Sequence, residues 1–265
     1  MSNKMRLWLW LAASIISAPL WAEDGTYAES AATIETDSAI AQKDSLGLGA
    51  VYAQNIYAGI GNKLQPFPLV NLFYNNFFLQ STTAGYTFYR DPEFSFAAVM
   101  QPQFGGYDAS DSDALTGMRD TSYLLNTGAQ LGYRLEPLSF SLSALHDITG
   151  RSAGNSANLK LAASVPLEDK RLVLIPSISA LWEDCHITNY YYGVSAGEAT
   201  LNRPAYTPSS ALNINYALTL KYHLSEHWGA TVGYLLTAYG DEIAESPIVS
   251  RKYASSGLAG ISYIF

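Results

Sequence analysis

Cysteine is nearly absent. Cys185 is the only one in 265 residues, so no disulfide can form within the chain. Charge is scarce too: 14% of residues are Asp, Glu, Lys or Arg, where a soluble domain carries about 25%. Bases are fewer than acids, 15 against 23, giving a net charge of −8. An acidic chain so poor in Lys and Arg lacks the footprint that neutralises phosphates, which excludes a nucleic-acid partner. Long apolar runs are also missing. After the first 22 residues no segment reaches the roughly 18 apolar residues of a membrane-spanning helix. What is plentiful is tyrosine, with 19 residues, inside a hydrophobic fraction of 48%. That fraction excludes a disordered chain. Mean hydropathy is nevertheless close to zero.

The N-terminus resolves part of this oddity. Lys4 and Arg6 precede Leu7 to Ile16, ten residues without a charge, and Pro19 then breaks any helix before Ala22. This is the layout of a secretory signal peptide, residues 1–22, cut after Ala22. Ten apolar residues are too few to cross about 30 Å of hydrocarbon. Removal takes two bases and no acid, so the mature charge moves from −8 to −10. In an exported chain a lone Cys185 reads as a small, partly buried hydrophobe rather than half of a bridge. Residues 23–44 are small, acidic and weakly periodic. They read as a flexible acidic periplasmic lead, with a short amphipathic helix as the alternative.

Alternation governs the rest. Leu212, Ile214, Tyr216, Leu218, Leu220 and Tyr222 interleave with Asn213, Asn215, Ala217, Thr219 and Lys221. This period of two marks a strand with one apolar face. Trp228 to Ala238 and Leu138 to Ala144 repeat it, and Leu172 to Trp182 does so in part. The strands run longer than the usual five or six residues. They match the roughly 9–11 residues that cross a bilayer when tilted. Aromatic residues gather at strand ends, as in interfacial girdles: Tyr222 with Trp228, Tyr239 with Tyr253, Tyr263 with Phe265, and Tyr86 to Tyr89. Hydrocarbon offers backbone groups no partner, so such strands must close. The expected fold is all-β: an antiparallel transmembrane β-barrel over residues 45–265.

Short turns at Glu136-Pro137, Pro166 to Lys170 and Leu224 to His227 alternate with long polar segments at 105–121, 147–155, 183–210 and 240–252. Short turns normally face the periplasm and long loops the exterior. Eleven strands can be counted: 46–57, 64–74, 77–89, 94–104, 122–134, 138–147, 156–165, 171–182, 211–223, 228–239 and 253–265. Bacterial single-chain barrels have even numbers. The discrepancy lies before residue 105, where the long/short alternation also breaks. Twelve strands are preferred and ten are the alternative.

The chain ends Ile261-Ser262-Tyr263-Ile264-Phe265. Tyr263 and the terminal Phe265 resemble the signal by which barrels are handed to the outer-membrane insertion machinery. Further motifs sharpen the picture. Asn189-Tyr190-Tyr191-Tyr192-Gly193-Val194-Ser195 is followed by Glu198 and Tyr206; Asp241-Glu242-Ile243 is followed by Ser246-Pro247-Ile248-Val249. Weaker matches are Tyr57-Ala58-Gly59, Pro66-Phe67-Pro68-Leu69 and the Asp-Ser segment 107–113. Together these resemble the MipA/OmpV family of outer-membrane proteins over roughly residues 46–265. The long acidic lead and the Cys185-His186 pair stand outside that pattern. The resemblance implies a non-enzymatic barrel in the outer membrane of a Gram-negative envelope. For one branch it implies a scaffold between a lytic transglycosylase and a bifunctional murein synthase, and for others adhesion or stress roles.

Chemistry can be weighed separately. His223 and His227 flank a turn, where solvation suits them better than metal binding. His186-Ile187-Thr188 sets a His two residues from a hydroxyl, loosely like a barrel lipid hydrolase, with Glu183 or Asp184 as an orienting acid. Thr stands where such enzymes use Ser, so catalysis is the weaker reading. His146 lies at a strand end. Asp108, Asp111 and Asp113 could offer oxygens to Ca²⁺, but the spacing is not that of an EF-hand. No catalytic residue, metal or cofactor is expected. The inward Asn, Ser, Thr and Gly residues suit either a small pore or a packed lumen. The expected partners are outer-membrane lipid and lipopolysaccharide, the barrel assembly machinery, and a murein transglycosylase or synthase.

Overall fold

A computed structural model describes residues 43–167 and 171–265. The signal peptide, the cut after Ala22 and the lead up to residue 42 lie outside the described residues. Thirteen strand segments form one sheet: β1 (Ser45–Ala53), β2 (Lys63–Tyr74), β3 (Phe77–Gln80), β4 (Thr83–Arg90), β5 (Phe94–Gln103), β6 (Leu124–Leu135) and β7 (Leu138–Asp147). They continue with β8 (Asn155–Ala163), β9 (Val165–Leu167), β10 (Leu172–Glu183), β11 (Ala211–His223), β12 (Trp228–Ala238) and β13 (Tyr253–Ile264). β8 and β9 lie along the same partner, β10, with Ser164 between them. They are one interrupted stave, so the barrel has twelve strands. All pairings are antiparallel, and the sheet closes where β13 pairs with β1, from Ser45 opposite Ile264 to Ala53 opposite Ser256.

The missing twelfth strand was hidden in the segment 77–89. It is two strands, β3 and β4, joined at Ser81-Thr82. No Gly or Pro marks this turn; Ser81 takes a left-handed φ of 50° instead. The hairpin is short, because β3 has four residues. It also explains the broken alternation, since a two-residue turn stands where a long connection is expected. The hairpin meets only the lower end of β2, from Asn71 to Tyr74. The Val70 carbonyl accepts from the Ser81 N–H at 2.6 Å. Two and four residues beyond lie Pro68 and Pro66, on the same side of the backbone alternation. On that side, away from β1, β2 has no neighbouring strand among the described residues, so a missing N–H costs no ladder bond.

Alternation sorts the residues as the sequence suggests. Leu212, Tyr216, Leu218, Tyr222, Val232 and Tyr234 are exposed on the outer face, while Asn213, Ala217, Thr219, Thr231 and Leu235 are buried within. Aromatic rings tile the outer face near the short-turn end. Phe77, Tyr86, Phe88 and Phe96 form a chain of contacts with centroids 4.9 to 5.6 Å apart. Trp228, Tyr263 and Phe265 form another at 5.3 Å. These are interfacial girdles in the sense of amphipathic rings at the headgroup level.

The middle of the lumen is filled. Val51, Ala53, Phe67, Leu69, Ala217, Leu235 and Leu258 pack from five strands into one apolar cluster. Phe78, Ala97, Val99 and Leu145 form a second. Gly260 permits the first of these, because a Cβ there would come within 2.6 Å of both Leu69 Cδ1 and Gly49 Cα.

Candidate functional site

The two ends of the barrel differ. At the end of the long connections the loops fold onto one another. Ile56, Tyr57, Ile60, Tyr107, Leu115, Met118, Leu124, Ile187, Tyr191, Tyr192, Val194, Ile243 and Ile248 form a buried core, with contributions from every long loop except 148–154. Tyr57 is central to it. Its ring lies 4.7 Å from Tyr107 and 5.9 Å from Tyr192. Burial raises the Tyr57 hydroxyl well above its ordinary pKa and pushes Tyr107 up to about 12, so both stay neutral.

Within this cap, the segment from Cys185 is a helix, α1 (Cys185–Tyr192), rather than a strand-like loop. Its residues are mediocre helix formers. The Asp184 carboxylate starts it by accepting from the N–H groups of His186 and Ile187, both at 3.1 Å. It also accepts from the Asn155 N–H at 2.8 Å, which ties the helix to β8. Burial opposes the charge on Asp184, but these hydrogen bonds prevail and hold its pKa below the ordinary value.

The expected motif residues converge on this helix. The Tyr190 hydroxyl accepts from the Ser122 N–H at 2.9 Å, and the Tyr191 hydroxyl donates to the Gln103 carbonyl at 3.3 Å. The Ser246 hydroxyl donates to the Tyr192 carbonyl at 2.6 Å. Gly193 caps α1, its N–H donating to the Asn189 carbonyl at 3.1 Å. Asp241 opens a one-turn helix, α2 (Asp241–Ala244), and pairs with Lys252. Pro247 sits between Ser246 and the fully buried Ile248. Glu198 binds the Arg119 guanidinium at 3.1 Å and the Arg119 N–H at 2.8 Å, and accepts from Ser195. Arg203, missed in the sequence, is buried, and its guanidinium donates to the carbonyls of Ala114, Thr116 and Glu198. A single Arg in a polar loop carries no signal of such a role.

Beneath the cap lies a buried acid. Glu183, 3% exposed, accepts from Gln103 Nε2 at 2.6 Å and Asn213 Nδ2 at 2.8 Å. Asn126 extends the network to Gln103 at 2.8 Å.

The hydrolase arrangement is not assembled. Thr188 is fully buried and donates to the Ser209 carbonyl at 2.7 Å, so its hydroxyl does not reach the surface. His186 is exposed, 3.7 Å from Asp184. Cys185 is exposed as well, not partly buried as its chemistry suggested. Asp108 accepts from Ser110 and Asp111 pairs with Lys63 at 3.4 Å. Among the described residues no three His, Cys, Asp or Glu side chains converge as a metal site. His146 meets Asn155 at 3.0 Å, and the backbone N–H of His223 donates to the Arg171 carbonyl at 2.8 Å. His227 stacks on Tyr263 with centroids 5.6 Å apart.

Among the described residues the short-turn end is open. A cup of about 1310 Å³ enters the lumen there, lined by Arg90, Arg134, Arg171 and Lys221, with Asn71 and Ser139 among the polar residues between them.

With this geometry in view, comparison with known proteins is informative. The family described as MipA, MltA-interacting protein MipA, matches residues 46–265. The chain belongs to the MipA family. YiaT of Escherichia coli (strain K12), a protein named for the outer membrane, is 27% identical over 235 residues, covering 86% of this chain and 93% of the relative. The MltA-interacting protein of the same strain is 24% identical over 234 residues, covering 84% and 90%. Among solved structures, the translocator domain of the autotransporter NalP from Neisseria meningitidis is similar with a TM-score of 0.51. It is 12% identical over 87% of this chain and 91% of that one. This last likeness is one of fold alone. The MipA-family chain is an outer-membrane β-barrel. Short turns of such barrels normally face the periplasm and long loops the exterior, an orientation that would put Phe265 on the periplasmic side and the cap outside.

Proposed function

We propose that this MipA-family barrel is a non-enzymatic interaction protein whose working face is the periplasmic one. There it holds a murein transglycosylase or synthase beside the outer membrane. The observation that carries this reading is the asymmetry of the barrel: an apolar core seals the exterior end, and an open cup faces the periplasm. One relative is named for interaction with MltA, which fits a periplasmic partner. A conducting pore suits the packed lumen poorly, and a lipid hydrolase suits the buried Thr188 poorly. Adhesion would use the exterior surface of the cap. Tyr263 and Phe265, outward at the periplasmic rim, suit recognition by the barrel assembly machinery. The aromatic girdles suit anchoring in lipid and lipopolysaccharide. Signal cleavage after Ala22 would leave the acidic lead on the same periplasmic side as the cup.

Crosslinking in intact envelopes tests the proposal. Recovery of transglycosylase or synthase peptides supports it. Recovery of host-surface proteins alone would replace it with adhesion.

A further inference from the structure

The inward charges of this barrel are segregated by height. The inward acids Asp147 and Glu183 are the last residues of β7 and β10, at the exterior end, and both are buried. The inward bases collect at the opposite end. Arg90 ends β4, with its guanidinium donating to Thr87 in the lumen at 3.3 Å. Arg134 follows the inward Gly132 on β6. Arg171 precedes the inward Val173 on β10, and Lys221 follows the inward Thr219 on β11. All four line the open cup, joined by Lys43 at its edge.

The five bases exceed the acids at the cup by one. Its side-chain carboxylates among the described residues are Asp91, Glu93 and Glu226, and the α-carboxylate of Phe265 lines it as well. Asp91 is committed to its own turn, accepting from the Tyr89 hydroxyl at 2.7 Å and from the N–H groups of Glu93 and Phe94. Arg134 and Arg171 have no ion-pair partner among the described residues. A net positive cavity in a chain of charge −8 runs against the composition of the whole. Low-dielectric walls around such a cavity focus its field on an entering anion.

We propose that the cup binds an acidic peptide segment of a periplasmic partner protein, its carboxylates reaching the guanidinium groups of Arg134 and Arg171. This assignment rests on the periplasmic docking reading above and supplies the chemistry of the contact. A guanidinium fork matches a carboxylate bidentately. The volume accommodates several residues of extended chain. A carbohydrate fits less well: Tyr133 and Tyr222 stand on the lipid side of the alternation, which leaves Phe73 as the inward ring for a flat sugar face at the cup among the described residues.

The test uses the full mature protein in detergent micelles and a fluorescent deca-glutamate peptide, read by anisotropy against salt. Binding that weakens as salt rises, and weakens about tenfold for each of Arg134→Gln and Arg171→Gln, is the expected result. Heat-modifiable migration of the variants checks that the barrel is folded, and Lys63→Gln, outside the cup, serves as the charge control. No binding, or equal loss in the control, would overturn the proposal. Binding of soluble murein fragments but not of the peptide would reassign the cup to a glycan. Peptide binding only after deletion of residues 23–42 would hand the cup to the chain's own acidic lead and overturn the partner assignment. Envelope crosslinks to murein enzymes that survive both Arg variants would leave the scaffold reading standing and remove the cup from it.

Discussion

The exterior and periplasmic ends of this barrel are built from the same strands but solved differently. At the exterior end, loops that each supply two to four apolar residues pool them into a core, and the acid below it is hydrogen-bonded through both oxygens. At the periplasmic end the turns are short, so among the described residues nothing folds over the lumen, and bases line the cup. The lesson is that one sheet, closed once, can present a sealed face and a receptive face according to connection length alone.

The comparison can be broken most forcefully at the cap. Tyr57→Ala removes the ring that meets Tyr107 and Tyr192 and should cost ~3–5 kcal/mol of cap stability. Proteolysis of the exterior loops on intact cells should rise accordingly. If their protease resistance is unchanged, the loops do not form a common core.

Next in size is the wall shared by the two ends. Leu218 lies mid-strand on the lipid face, opposite Pro176 and Tyr234. Leu218→Arg should destabilise the folded barrel by about 2–4 kcal/mol in lipid, measured by denaturant titration in vesicles. A change near zero would mean that this face does not meet hydrocarbon.

Smaller again is the acid beneath the cap. Glu183→Ala leaves the amide donors of Gln103 and Asn213 without their acceptor, a loss of about 1–3 kcal/mol. Glu183→Gln keeps part of the network and should cost less, so thermal midpoints should fall in that order.

The mildest test is pH. Burial opposes ionisation of Glu198, but hydrogen bonds from Ser195 and Arg119 prevail and hold its pKa below the ordinary value of 4.5. A carboxylate lowered in the folded state contributes stability that is present above the ordinary value and lost as pH falls through the folded one. The cap should therefore loosen on acidification below about pH 4.5, and less so in Glu198→Gln, as read by exterior-loop proteolysis across pH. Equal acid sensitivity in the variant would absolve Glu198.

These effects also show what the sequence could reveal. The barrel was legible because lipid imposes a period of two over strands such as Leu212 to Tyr222. The β3–β4 turn was not, since Ser81-Thr82 interrupts an apolar run without Gly or Pro. The helix α1 had one readable sign, the N-cap Asp184, set against the low propensity of Ile187, Thr188 and three Tyr. The cap's core was illegible because Ile56, Leu115, Ile187, Ile243 and Ile248 lie in separate loops without a strand or helix periodicity to show which of them are buried. The cup was hidden for a different reason: Arg90, Arg134 and Lys221 lie on three strands and Arg171 just before a fourth, and only closure of the sheet gathers them.

The asymmetry itself is best tested by labelling. Cys185 is exposed at the exterior end of the chain. Ser139 lies in the periplasmic cup. On intact cells, a membrane-impermeant maleimide should label native Cys185 but not Cys in a Cys185→Ser, Ser139→Cys double variant. After the outer membrane is permeabilised, both should react. Labelling of the cup position from outside intact cells would show that the exterior end is open, and would contradict the account.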